Sequence, residues 1–148
     1  FEVPLSRGIE AVSEYVPENN RSQIIEQNSN TIHLDAYNAN PTSMSMSVKS
    51  FEAKKGAKIV ILGDMFELGD TAQLEHAELG KLCASLSFDA VYFCGKLMKN
   101  AHEAYPHSAY FELKSDLMEH LKSNPIEKSA ILIKGSRGMA LETLLEVL

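Results

Sequence analysis

Four polar segments follow short apolar runs in this chain, and they contain the residues best suited to chemistry. They span residues 35–41, 63–69, 95–97 and 134–142. A carboxylate such as Asp35 can accept hydrogen bonds from paired hydroxyl groups, such as those of a ribose. Gly135, Ser136 and Arg137 combine a small residue, a hydroxyl and a guanidinium, which is a set suited to binding an anion.

Each of these residues also has a purely structural interpretation. Asp35 could be a turn or cap aspartate, and Asn40 precedes a proline in the order that favours a helix start. Asp64 and Glu67 could orient an ammonium group or could be solvated in a loop after a strand. Glycine-rich loops with an arginine are common in proteins. The pattern by itself leaves both interpretations open.

Several familiar catalytic and cofactor motifs are absent from the sequence. No GxGxxG, GxSxG, HxH or HExxH pattern occurs. Gly95-Lys96 is not a P-loop, because Leu97 stands where a hydroxyl residue belongs and Ala90 where the first glycine belongs. Cys83 and Cys94 have no CxxC partner and are expected to be small buried hydrophobic residues. The sequence therefore predicts neither a metal site nor a nucleophile, but binding and positioning.

Short apolar runs are expected to form the strands that carry these segments. Residues 59–62, 90–94 and 130–133 are apolar on both faces and rich in Val and Ile, as is typical of parallel strands covered on both sides. Residues 22–26 and 31–35 predict a hairpin closed by residues 27–30. The predicted fold class is α/β, an open mixed sheet that is mostly parallel, with an antiparallel N-terminal edge strand and helices on both faces.

Helical patterns fill the gaps between the strands. Asn40, Asp70 (with Gln73 as its capping-box partner) and Ser115 are predicted to cap three helices. His76, between two glutamates, is expected on the exposed face of the second helix. The three apolar stripes are Met44, Val48 and Phe51; Leu79, Leu82, Cys83 and Leu86; and Leu117, Met118 and Leu121. Residues 4–15 predict a further helix, followed by a loop at 17–20.

Length and charge narrow the classes of protein further. The chain has 148 residues, and its 45% hydrophobic and 23% charged residues fit one globular domain. Its formal net charge of −6 argues against binding nucleic acid. No apolar stretch approaches the roughly 20 residues that span a bilayer. Because the chain opens with Phe1, we expect it to be an excised piece of a longer protein.

Residues 35–44, 62–69 and 134–142 together resemble the C-terminal domain of the Mur ligases in order and spacing. The resemblance covers essentially the whole chain and implies a single Rossmann-like domain over residues 1–148, with residues 1–16 a lead-in helix from a central domain. It further implies a cytoplasmic, monomeric enzyme that also has N-terminal and central domains. That enzyme uses ATP and Mg²⁺ to join D-alanyl-D-alanine to a UDP-N-acetylmuramoyl-tripeptide. This domain alone, without the P-loop of the central domain, is expected to be inactive and to contain no catalytic residue.

The resemblance also assigns residues to two binding sites. The residues implied to bind ATP are Arg21, Asp35, Tyr37 and Asn38, with Asp35 holding the ribose and Arg21 reaching the phosphates. Those implied to bind the dipeptide are Asn40, Asp64, Glu67, Ser136 and Arg137, and Arg137 could pair with the dipeptide carboxylate. Asn20 precedes Arg21 where the family commonly has glycine.

Two other hypotheses remain, one of a related enzyme and one of a binding module. The chain could be the C-terminal domain of a related ligase, such as folylpolyglutamate synthetase, whose C-terminal domain is similar, although the complete loop at residues 37–41 argues against this. A free-standing module that binds nucleotides or amino acids would share the same charged loops, and binding by the isolated chain would distinguish it.

Overall fold

The structure is a computed structural model that describes residues 21–148. The predicted helix over residues 4–15 and the loop at 17–20 therefore lie outside the described residues. In the part of the chain described, no helix combines the length and apolar character needed to cross a membrane.

A six-stranded sheet with the order β1-β2-β6-β3-β4-β5 forms the centre of the molecule. The strands are β1 (Gln23–Gln27), β2 (Asn30–Asp35), β3 (Ala57–Gly63), β4 (Ala90–Cys94), β5 (Ala109–Phe111) and β6 (Ser129–Lys134). Only β1 and β2 pair antiparallel, and every other neighbouring pair is parallel. This arrangement confirms the predicted mixed sheet and its antiparallel edge. The short edge strand β5 was not predicted.

Within residues 21–148, four α-helices connect the strands. They are α1 (Pro41–Glu52), α2 (Ala72–Ala84), α3 (Lys99–Ala104) and α4 (Lys114–Ser123). Short 3₁₀ turns occupy Gly69–Thr71, Arg137–Met139 and Leu141–Val147. Helix α3 and the 3₁₀ turns were not among the predicted elements.

One of the three predicted helix caps is confirmed. Asn40 caps α1 through its Oδ1, which accepts the Ser43 N–H at 2.9 Å, while the Ser43 hydroxyl accepts the Asn40 N–H at 3.2 Å. The cap predicted at Asp70 is wrong, because a 3₁₀ turn precedes α2 and moves its N-cap to Thr71, which makes no side-chain cap bond. The cap predicted at Ser115 is also wrong, since α4 already begins at Lys114.

Both faces of the sheet are covered by apolar side chains, as predicted. Along β3, Val60 and Leu62 point to one face and Ile59 and Ile61 to the other, and all four are buried. The first face packs against α1, α2 and α3, and the second against α4 and the C-terminal 3₁₀ turn. Both cysteines are buried and free, and burial raises the pKa of Cys83 to about 12 and of Cys94 to about 11. They behave as the expected small hydrophobic residues.

The sheet register brings the polar segments to one edge. Asp35 at the end of β2 is the register partner of Lys134 at the end of β6, and Lys134 also pairs with Leu62 of β3. Gly63 in turn pairs with Cys94 of β4. Since these four strands are parallel, the loops that follow them emerge side by side, which is where open α/β sheets bind ligands.

Candidate functional site

A buried ion pair stands at the centre of this edge. The Lys134 ammonium is 2% exposed and donates hydrogen bonds to Asp35 Oδ2 and, at 3.2 Å, to the carbonyl oxygen of Asn38. The Asp35 side chain remains 24% exposed. Lys134 begins the polar segment 134–142, but its role could not be predicted from the sequence, because its partner Asp35 lies 99 positions away and only the sheet register brings the two together.

Two guanidinium groups converge on the ring of Tyr37. The Arg21 Cζ lies 3.7 Å from the ring centroid, and the Arg137 Cζ lies 5.0 Å from it, both within the range of cation–π attraction. Hydrogen bonding and charge from Arg21, and then from Arg137, lower the pKa of the Tyr37 hydroxyl. The structure thus places Arg137, which was assigned to the dipeptide, beside two residues that were assigned to ATP.

A cleft of about 380 Å³ opens beside these groups. It is lined by all four residues assigned to ATP, together with Ser22, Asn40, Ser43 and Lys134. A larger groove of about 430 Å³ adjoins it and shares Ser22 and Asp35. Its other lining residues are Gln23 and Ile24 of β1, His33 of β2, Leu132 of β6, Lys54, and Met46, Ser47, Ser50 and Phe51 of α1. The smaller cleft contains the charged groups at the carboxyl edge and is therefore the better candidate for an anionic ligand.

Asp64 does not line this cleft, because its carboxylate faces the protein interior. The residue is 4% exposed, and its Oδ1 accepts the Met98 N–H at 2.9 Å. Burial raises the pKa of Asp64, and the backbone N–H groups of residues 96–98 partly oppose that rise. This geometry favours a role in holding the loop after β4 over direct contact with a ligand.

Ser136 ties two loops together. Its backbone N–H donates to the Asp64 carbonyl oxygen at 3.0 Å, and its hydroxyl accepts the Phe66 N–H at 2.9 Å. Gly135 is in close contact with Gly63, since a Cβ added at Gly135 would lie 3.1 Å from the Gly63 Cα. The loop after β3 and the loop after β6 therefore form one unit.

Glu67 and Arg137 are both exposed at the outer side of these loops. Glu67 has a left-handed backbone, with φ of 64°, and is not among the residues lining the cleft. Arg137 reaches the cleft region only through its contact with the Tyr37 ring. The structure therefore unites Arg21, Asp35, Tyr37, Asn38 and Asn40 in one cleft, places Arg137 at its border, and separates Glu67 and Asp64 from it.

His76 corrects an expectation from the sequence. It was expected on the exposed face of α2, but it is fully buried. Its Nε2 accepts the Met65 N–H at 3.0 Å, and its Nδ1 lies 2.6 Å from the Ala72 carbonyl oxygen, so Nδ1 must hold the proton. The spacing to Leu79 and Cys83, at i+3 and i+7, contained the signal that His76 shares their buried face.

The site as described is equipped for recognition. Among residues 21–148, no three His, Cys, Asp or Glu side chains gather as metal ligands would. The guanidinium groups of Arg21 and Arg137 can instead attract an anionic ligand, and the Asp35 carboxylate can accept hydrogen bonds from its hydroxyl groups.

The fold is an open α/β domain with a cluster of charged side chains at the carboxyl edge of its sheet. A family model described as "Mur ligase, glutamate ligase domain" matches residues 20–137, and the chain belongs to that family. This confirms the resemblance inferred from the three motifs.

Individual relatives agree with the family. The chain is 36% identical over 135 residues to a UDP-N-acetylmuramoyl-tripeptide–D-alanyl-D-alanine ligase from Bacillus subtilis (strain 168), covering 85% of this chain and 30% of the relative. It is 35% identical over 147 residues to the ligase of the same name from Treponema pallidum (strain Nichols), covering 95% of this chain and 31% of the relative. The chain thus spans about a third of the length of these curated relatives.

Solved structures share the architecture. A crystal structure of MurF from Acinetobacter baumannii superposes with a TM-score of 0.84 at 27% identity, covering 97% of this chain and 33% of that one. A MurF ligase from Thermotoga maritima in complex with ADP gives 0.75 at 21% identity, covering 97% of this chain and 35% of that one. At that identity, the second likeness shows the fold alone.

Proposed function

We propose that this chain is the C-terminal domain of an ATP-dependent ligase that adds D-alanyl-D-alanine to a UDP-N-acetylmuramoyl-tripeptide. In this proposal the domain closes over ATP and positions the incoming dipeptide. The observation that carries it is the cleft at the carboxyl edge of the sheet, which is lined by Arg21 and Asp35 and bordered by Arg137 through the Tyr37 ring. The curated relatives with this name supply the substrate class.

The nucleotide half of the cleft contains groups that suit each part of ATP. The Asp35 carboxylate accepts hydrogen bonds from the ribose, and the Arg21 guanidinium offers a bidentate fork to a phosphate. Tyr37 and Asn38 line the same cleft. Mg²⁺ would accompany the triphosphate and screen its charge, and we assign its ligands to parts of the enzyme outside this chain.

The acceptor half of the proposal rests on Arg137. Its guanidinium is exposed and is suited to pair with the dipeptide carboxylate, and Asn40 lines the cleft that Arg137 borders. Because Arg21 and Arg137 both contact the Tyr37 ring, a phosphate held by the first and a carboxylate held by the second would be neighbours. Ser136 and Asp64 would then serve the acceptor through the loops that they hold, and Glu67 from the outer rim.

We further propose that the full enzyme is a cytoplasmic monomer and that ligation requires its central and N-terminal domains. No residue of this sequence forms a P-loop that could cradle the β- and γ-phosphates. The isolated 148-residue chain is therefore expected to produce no ATP-dependent amide bond. Ligation by this chain alone would contradict the proposal.

Substitutions in the full-length enzyme test the two halves separately. We expect Asp35→Ala to raise the KM for ATP, and Arg137→Ala to raise the KM for D-alanyl-D-alanine, each by about tenfold or more, since hydrogen bonds to charged groups contribute roughly 1.5–3 kcal/mol. Lys99→Ala is the control, because that lysine is 65% exposed on α3. If Asp35→Ala and Arg137→Ala lowered thermal stability and left both KM values unchanged, the site assignment would be wrong.

A further inference from the structure

The Lys134 ammonium occupies a position that hydrophobic packing alone would not select. It lies at the end of the central strand β6 with 2% exposure, and taking a cation out of water is unfavourable unless its hydrogen bonds are satisfied. Two acceptors satisfy it, the Asp35 carboxylate and the Asn38 carbonyl oxygen. Asp35 is the last residue of β2 and Asn38 follows it, and both residues line the candidate cleft.

The bond to Asp35 involves only one carboxylate oxygen. Lys134 donates to Oδ2, and no other donor among the described residues reaches the carboxylate. A carboxylate can accept about four hydrogen bonds, so Oδ1 keeps its capacity for a ligand. Because the same ammonium also holds the Asn38 carbonyl oxygen, it fixes the side chain of Asp35 relative to the backbone of the loop.

We propose that Lys134 is a positioning residue for nucleotide recognition: it holds Asp35 Oδ2 and the Asn38 backbone so that Oδ1 meets the ribose hydroxyls in one fixed geometry. The inference rests on the proposed function, since it takes Asp35 as the ribose contact. Lys134 does not touch the nucleotide and acts through Asp35. Its loss should therefore weaken discrimination between nucleotides with and without ribose hydroxyls.

The experiment compares ATP with 2′-deoxy-ATP and 3′-deoxy-ATP as substrates of the full-length enzyme. The variants are Lys134→Met, Asp35→Asn and the double variant. We expect Lys134→Met to raise the KM for ATP about tenfold, because it removes a charge-assisted hydrogen bond. We also expect it to reduce the preference for ATP over the deoxynucleotides toward the value of Asp35→Asn. The double variant should be no worse than the poorer single variant, as is expected when two residues act through one contact.

A matched control is available elsewhere in the chain. Lys58 lies near the start of β3, at the opposite edge of the sheet from Lys134. Its side chain is only 14% exposed and donates to the Glu52 carbonyl oxygen at 2.6 Å. Lys58→Met, like Lys134→Met, removes a largely buried ammonium group, and it should leave ribose discrimination unchanged. Should Lys134→Met fail to fold, the double variant removes both charges together, and ribose discrimination or a KM for ATP worse than that of Asp35→Asn alone would overturn the positioning role.

The possible results separate the inference from the function on which it rests. If Asp35→Asn loses ribose discrimination while Lys134→Met keeps it, the positioning role is overturned and the proposed function stands. The positioning role is equally overturned if the increases in the KM for ATP of the two single variants multiply in the double variant. If neither the wild type nor Asp35→Asn distinguishes ATP from its deoxy forms, the ribose assignment itself is wrong, and the role of Lys134 falls with it.

Discussion

Replacing His76 should release the loop after β3 from helix α2. The imidazole is fully buried and is the acceptor for the Met65 N–H. In His76→Ala that N–H loses its partner in the interior, which costs about 1–3 kcal/mol. Truncating a large buried side chain to alanine adds the loss of its packing, about 2 kcal/mol at the lower end of such measurements. We therefore expect the free energy of unfolding to fall by roughly 3–5 kcal/mol.

Urea denaturation measures this change, and amide hydrogen exchange locates it. The Met65 amide should lose protection in His76→Ala, because its acceptor is gone. His76→Gln should recover part of the stability, since a carboxamide can both accept from Met65 and donate to the Ala72 carbonyl. His107→Ala, at an exposed histidine, is the control and should change stability by no more than about 0.5 kcal/mol. A loss below about 1 kcal/mol in His76→Ala, with Met65 still protected, would refute this reasoning.

Two further predictions concern the loop that Asp64 holds. Gly95 has φ of 121°, and a Cβ there would overlap the Asp64 carboxyl group, so Gly95→Ala should destabilise the protein by about 3 kcal/mol in urea denaturation; an unchanged midpoint would contradict this. Burial raises the pKa of Asp64 above 3.8, so its stabilising contribution is complete below that pH and is lost as pH rises through the raised pKa. Asp64→Asn should therefore gain stability relative to wild type as pH rises across that window. Free energies of unfolding measured at acidic and neutral pH test this, and a fall in the stability of Asp64→Asn relative to wild type as pH rises would contradict it.

The central strands could be predicted from the sequence because they are buried on both faces. Residues 59–62 and 130–133 are continuous apolar runs and lie within β3 and β6. The hairpin was predicted to within one residue at each strand end, since β1 and β2 flank a turn-rich pair at residues 28–29. Strand β5 has only three residues, all partly exposed, and its pattern is too short to distinguish from a loop.

The loops at the carboxyl edge of the sheet could be located from the sequence, but the contacts within them could not. Parallel strands with polar residues at their ends are enough to predict a shared edge. Which side chains face the cleft depends on distant partners, as for Asp64, whose carboxylate is taken by a backbone N–H 34 positions away. Local patterns also misplaced His76, because Glu75 and Glu78 suggested an exposed face and the packing of α2 against its neighbours decided otherwise.

The position of β6 has a consequence for how the domain is made. It is the last strand along the chain, yet it lies between β2 and β3 and joins the two halves of the sheet. During synthesis, the β1–β2 hairpin and the β3–β4–β5 unit must wait with their inner edges unpaired until residues 129–134 emerge. The cleft matures at the same late moment, because Lys134 arrives 99 residues after Asp35. Slow translation or a truncation before β6 should therefore leave two aggregation-prone sheet edges and no binding site.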